Sequence, residues 1–326
     1  MTEGSTSDSL SHGHELAPQL APALQEACAG KLEDLRWFRS DWQVGGAATG
    51  YANYRLDGED EPRQVVIKLP VGPVEYRFTT KLSQTDAPTP RVVAHGVELG
   101  GYDLAWMVME RIPGDPISLD NPKKTFMALA DAAAAFYLHC ETLGPPGAPK
   151  LQIDWGEMLE KARASVRDNE LPEKQRWNEA VKKTQKALPT LVNRWDSRSI
   201  ATWCHGDLHP GNAMMRPEGS PWGAAACVLI DLAETHPGHW VEDAVHIERL
   251  YWGADDVLKD VKPVKLIAKA RKNLGLCNED DYATLANVRR VLSASCMPVF
   301  LHREGHPRRL ASALDVLERV LPLATP

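Results

Sequence analysis

The sequence predicts an α+β protein, with a small N-terminal part built on an antiparallel sheet and a larger, mainly helical C-terminal part. Three observations predict it. Short extended runs, punctuated by glycine-rich turns, occupy residues 35–109, whereas long runs of helical periodicity begin at residue 123. The helical region is interrupted between residues 201 and 231 by a polar loop and two short strands. There is no internal repeat.

The elements follow in order. A polar tail, residues 1–14, leads into a short helix over 15–28, where Leu16, Leu20, Leu24 and Ala27 share one face despite Pro18 and Pro22. Residues 35–38, 51–56 and 64–69 read as strands, separated by Gly45-Gly46 and by Asp57-Gly58. Residues 75–82 read as a helix, and 91–94 and 104–109 as two further strands before Pro113-Gly114. Helices are expected over 123–143, 155–167, 173–195, 240–251, 264–274, 280–302 and 308–320. The domain boundary is therefore placed near residues 110–114, giving an N-terminal domain over 1–110 and a helical domain over 111–326.

Composition narrows the function classes. At 326 residues and 43% hydrophobic content the chain can bury a substantial core. A net charge of -7 without long Lys/Arg clusters argues against a dedicated nucleic-acid binder, which needs a basic face for phosphates. Six scattered cysteines with no C-x-x-C pair indicate reduced thiols, not a zinc site or disulfide framework. No secretory leader and no membrane-length apolar run is evident, so a cytoplasmic location away from membranes is expected. Oligomeric state leaves no signature.

The interrupting loop carries the chemistry. Residues 205–212 read His-Gly-Asp-Leu-His-Pro-Gly-Asn, and an apolar run delivers Asp231 nineteen residues after Asn212. This is the layout of a phosphotransferase catalytic loop, in which one carboxylate, Asp207, takes a hydroxyl proton. Asn212 and Asp231 offer the hard oxygen ligands that magnesium prefers.

The loop resembles that of the aminoglycoside phosphotransferase and choline kinase group of small-molecule kinases, relatives of the protein kinases. In that group a His-Gly-Asp-x-x-x-x-Asn loop is followed by Ile-Asp-Trp or a close variant, here Leu229-Ile230-Asp231-Leu232. Protein kinases usually carry Arg and Lys where this chain has Gly206 and His209, which favours the small-molecule branch. The resemblance implies a bilobal protein-kinase-like fold with the nucleotide between lobes, ATP and Mg2+ as cofactors, and a small-molecule acceptor.

It also implies roles for residues upstream. Lys68, ending Val-Val-Ile-Lys, resembles the kinase lysine that meets the α and β phosphates, and Glu75 is its best partner although only seven residues away. Gly45 and Gly46, in the glycine-rich stretch 44–50, would let backbone approach the phosphates. The segment from Glu110 to Ile112 would pair its backbone with adenine. Backbone recognition leaves no residue signature, so ATP is the default and GTP stays open.

Competing readings fit fewer residues. His205, Asp207 and His209, with His236, His239 and His246, suggest a hydrolytic imidazole metal site, but that leaves Asn212, Asp231 and Lys68 unassigned. A regulatory nucleotide binder lacking transfer activity is disfavoured because every key position is filled. A protein kinase is disfavoured by Gly206 and by the absence of Ala-Pro-Glu after Asp231. Asp243 matches a family aspartate, in a segment that departs from the family pattern; near a helix N-terminus it can cap backbone donors, so a structural role is expected rather than a catalytic one. For the acceptor, Glu234, Asp255, Asp256, Trp155, Trp240 and Trp252 are candidate acidic and aromatic contacts.

Overall fold

The computed structural model describes residues 16–39, 46–147, 153–279 and 281–325. The chain divides into two compact units: Met1–Asp115 with Met214–Glu234, and Pro116–Ala213 with Thr235–Pro326. Sequence reading draws one cut near residue 110; the first unit instead takes back a later segment, which includes Asp231.

The first unit is built on a five-stranded sheet in the order β1-β2-β3-β5-β4, with every neighbouring pair antiparallel. The strands are β1 (Leu32–Arg39), β2 (Ala48–Tyr54), β3 (Arg63–Leu69), β4 (Val92–Gly96) and β5 (Trp106–Glu110). The two-residue alternation of β3 sends Val65, Ile67 and Leu69 into the core and leaves Val66 and Lys68 on the opposite face. That core includes Leu24, Trp106 and Val108, with Ala17 and Leu20 from the chain start. The expected 15–28 helix is in two pieces, α1 (Leu16–Gln19) and α2 (Ala21–Ala27), because Pro22 suits only a helix start. Helix α3 (Pro73–Leu82) begins at once after β3, with Gly72 as N-cap and Pro73 in its first turn.

Side-chain contacts explain why the later segment belongs here. Arg216 meets the fully buried Glu110 carboxylate through two 2.6 Å bonds. Leu229 N–H donates to Pro88 O at 2.7 Å. Trp222 joins the sheet core, and the Arg63 guanidinium lies 4.9 Å from its ring centre. Two short strands, β7 (Ala213–Arg216) and β8 (Ala226–Leu229), pair with each other.

The second unit is helical. Its main helices are α4 (Pro122–Cys140), α5 (Trp155–Asp168), α6 (Lys174–Asp196), α7 (Val241–Leu250), α9 (Pro263–Asn273), α10 (Tyr282–Ser295) and α12 (Pro307–Ala324), with short turns α8 (Asp255–Leu258) and α11 (Leu301–Glu304). Asn121 and Asp154 accept backbone N–H bonds at the starts of α4 and α5. The helix expected over 280–302 ends at Ser295 and continues as a 3-10 turn, Met297–Phe300, where Pro298 can give no N–H to an α-helix. The core gathers Leu159, Trp177, Leu191, Val291, Leu292, Leu314 and Leu317 from α5, α6, α10 and α12. A two-stranded sheet of β6 (Thr202–Cys204) and β9 (His236–Gly238) carries the 205–212 loop. Among the described residues no helix is long and apolar enough to cross a membrane.

Candidate active site

The loop leaves β6 at Cys204 and is held from beneath by Asp243 in the first turn of α7. Asp243 is 1% exposed. Its Oδ2 accepts from His205 N–H at 2.8 Å and from the Tyr137 hydroxyl at 2.9 Å, and its Oδ1 accepts from Gly206 N–H at 2.9 Å. Asp243 has the structural role expected of it, accepting from backbone donors, and those donors are the buried N–H groups of the loop. Gly206 sits at a φ of 86°, where a side chain would be strained. His205 is fully buried and its Nδ1 accepts a 3.4 Å bond from Asp207 N–H.

These anchors present the Asp207 carboxylate between two donors. His246 Nε2 lies 3.1 Å from Oδ1, and Asn212 Nδ2 donates at 3.0 Å to Oδ2 and at 2.9 Å to the Asp207 carbonyl. His209 Nε2 is 3.6 Å from Oδ2, while its Nδ1 accepts from Gly211 N–H at 3.0 Å. The His246 hydrogen bond, helped by His209 and Asn212 against the opposing effect of burial, pulls the Asp207 pKa down to about 2. Such a carboxylate is ionised at any physiological pH and orients a hydroxyl better than it deprotonates one.

Asn212 gives its amide N–H groups to Asp207, so the ligand atom it can turn to a cation is its carbonyl oxygen. Asp231 adopts a φ of 60°, uncommon for a residue with a side chain, and its carboxylate is half exposed. Each offers a hard oxygen donor of the kind magnesium prefers. The imidazole metal cluster does not form. Among the described residues the His, Cys, Asp and Glu donors that converge closely enough for an ion are those of Cys204, His236 and Glu242, and that carboxylate already meets Arg198 at 3.2 Å.

The N-terminal unit has a separate cavity of about 480 Å³, lined in part by Arg39, Gly46, Thr49, Lys68, Glu75 and Asp231. Lys68 Nζ meets Glu75 Oε1 at 2.5 Å and Asp231 Oδ1 at 3.2 Å. The seven-residue spacing suffices because α3 starts at Pro73, which places Glu75 in its first turn, where a carboxylate also answers the helix dipole. Burial lowers the Lys68 pKa, but the two carboxylates more than offset it, so the ammonium stays charged. Burial pushes the Glu75 carboxyl upward against the pull of Lys68.

The remaining expectations divide. Gly46 borders the cavity at a φ of 116°, whereas Gly45 lies outside the described residues. Glu110 ends β5: its N–H donates to Arg91 O at 2.7 Å and its carboxylate is taken by Arg216, so those groups serve the fold. Ile112 is buried. Trp155, Trp240 and Trp252 are at most 8% exposed and belong to the interior, which removes the aromatic acceptor surface that sequence suggested. Sequence reasoning did not find the hold of His246 on Asp207, because nothing in spacing announces a contact across 39 positions.

The model of the phosphotransferase enzyme family matches residues 46–261, about two thirds of the chain. The chain belongs to this family. Solved structures carry the same fold. A microcompartment-associated aminopropanol kinase is 16% identical, with 90% of this chain and 94% of that one covered and a TM-score of 0.53. Choline kinase from Cryptosporidium parvum is 10% identical, with 96% and 94% covered and a TM-score of 0.52. An aminoglycoside phosphotransferase solved with GDP and kanamycin is 12% identical, with 94% and 99% covered and a TM-score of 0.51. No curated protein matches the chain in sequence.

Proposed function

We propose that this member of the phosphotransferase family is a magnesium-dependent small-molecule kinase that moves the γ-phosphate of ATP to a hydroxyl group. The observation that carries the reading is the Asp207 carboxylate, held ionised between His246 and Asn212 on a buried scaffold. Phosphoryl transfer passes through a loose transition state, so a fixed acceptor-orienting carboxylate and well-placed charge supply most of the acceleration.

In this reading Asp207 accepts a hydrogen bond from the acceptor hydroxyl and aligns its oxygen for in-line attack. Lys68, steadied by Glu75, neutralises phosphate charge. The Asn212 carbonyl and the Asp231 carboxylate would each offer magnesium an oxygen ligand, and the metal would supply positive charge for the phosphates of the nucleotide. Gly46, which borders the Lys68 cavity, lets backbone approach the phosphates, and backbone between Glu110 and Ile112 meets the base. The structure solved with GDP keeps GTP in view as donor. The aminopropanol and choline kinases make an amino alcohol the first acceptor to try, followed by aminoglycosides and sugars.

The test is ADP release from ATP with and without magnesium, across choline, ethanolamine, 1-amino-2-propanol, kanamycin and hexoses. Acceptor-stimulated release that Asp207→Asn abolishes supports the reading. Tight ATP binding with no stimulation by any acceptor, or stimulation that survives Asp207→Asn, contradicts it.

A further inference from the structure

The cavity beside Lys68 contains a second cation that the loop pattern does not account for. Arg39 ends β1. In the sheet register Arg39 pairs with Thr49, and Thr49 pairs with Lys68. Directly paired residues of antiparallel strands present their side chains on one face. Arg39, Thr49 and Lys68 therefore form a row across three strands, spanning about 10 Å at the backbone, or two strand spacings. All three border the cavity.

Arg39 is on this face because of a local irregularity. Trp37 pairs with Gly50 and Arg39 with Thr49, so two steps along β1 correspond to one along β2. Without this bulge Trp37 and Arg39 would share a face. With it, Trp37 packs on the sheet core beside Gly50, where an added Cβ would come within 3.0 Å of its ring, and the strand end is re-aimed. Phe38 turns with it and stacks on Tyr51 at 4.5 Å between ring centres. A Cβ built on Gly46 would lie 3.8 Å from Arg39 Nη2, so the guanidinium lies along bare glycine backbone.

The row sets two kinds of cation on one face of the cavity: the Lys68 ammonium, a point charge beside Glu75 and Asp231, and the Arg39 guanidinium, whose planar fork of donors matches phosphate oxygens as an ammonium cannot.

We propose that Arg39 is a second phosphate-binding cation of the nucleotide site, acting on the polyphosphate beside Lys68. This rests on the reading above that the N-terminal unit takes a nucleoside triphosphate. The test is calorimetric titration of the full chain, in magnesium, with the β,γ-imido analogue of ATP, with ADP and with adenosine, for the wild type, Arg39→Gln and Arg39→Lys. Arg39→Gln is expected to weaken the imido analogue roughly tenfold or more, since bonds to charged groups carry that much affinity, with a smaller loss for ADP and adenosine within about twofold. Arg39→Lys restores part of the loss, as a point charge without the fork. Unchanged affinity for the imido analogue in Arg39→Gln overturns the inference while leaving the kinase reading intact. Equal losses for adenosine and the imido analogue also overturn it, by revealing a structural role. A wild type that binds none of the three overturns the kinase reading and this inference with it.

Discussion

The 205–212 loop and the Lys68 cavity hold their charges by opposite means. In the loop a single carboxylate, Asp207, is placed by hydrogen bonds that converge from a buried scaffold, ultimately from Asp243 and its grip on two backbone N–H groups and a tyrosine hydroxyl. In the cavity the charges hold one another: Lys68 against Glu75 and Asp231, on an otherwise regular strand and helix. The loop should therefore be sensitive to change at residues of its scaffold, such as Asp243, and the cavity to change in the balance of its charges. The difference is one of what is bought by burial in each place: geometry in the loop, charge balance in the cavity.

Variants can break that contrast, beginning with the largest expected effect. Asp207→Asn keeps the shape of the loop but removes the charge, and turnover should fall by about 10²–10⁴-fold while affinity for ATP, measured by titration, stays within a few-fold. An equal loss of nucleotide affinity would mean that the loop and the cavity are not separable as described.

Arg216→Leu strands the fully buried Glu110 carboxylate, and breaking one partner of such a pair costs about 3–5 kcal/mol. Urea unfolding should report that loss, because the pair ties the 214–234 segment to the sheet. Next comes Asp243→Ala, which leaves two loop N–H groups without their acceptor at about 1–3 kcal/mol each. Lower stability together with lower turnover is expected, with ATP affinity unchanged; a stable variant with normal turnover would show that the loop does not depend on its anchor.

The smallest effect concerns His246. Its hydrogen bond is the leading cause of the low Asp207 pKa, so His246→Phe should raise that pKa toward the ordinary aspartate value and lower turnover modestly, by about tenfold. The sign with pH follows from the depressed value. The folded Asp207 stays ionised down to about pH 2, so its contribution to stability is complete above about pH 4 and is lost as pH falls through about 2. In His246→Phe the folded and unfolded pKa values converge, so that contribution should shrink. Carboxyl carbon NMR titration of Asp207 in the two proteins measures the shift directly.

Much of the site was legible because its chemistry is local. The loop from His205 to Asn212 encodes its own turn, and the strand before Asp231 can be read from a short apolar run. Lys68 and Glu75 were legible for the same reason, since a strand and the helix that follows it at once lie only seven positions apart. What escaped depends on distant chain. His246 reaches Asp207 from α7, and Asp243, on the same helix, turns its carboxylate to backbone donors of the loop. The return of residues 214–234 to the N-terminal unit rests on Arg216, Trp222 and Leu229 finding Glu110, the sheet core and Pro88. Tryptophans failed as acceptor markers for a simpler reason: at helical spacing their area goes to the core first. Prolines 22 and 298 divided runs whose apolar periodicity alone looked continuous.

The most direct test of the central claim is to identify the product by phosphorus NMR after incubation with ATP, magnesium and the acceptor that most stimulates ADP release. A phosphate monoester on an acceptor hydroxyl, formed in step with ADP and absent with Asp207→Asn, is the expected result. Inorganic phosphate as the sole product, or a monoester formed equally well by Asp207→Asn, would contradict it.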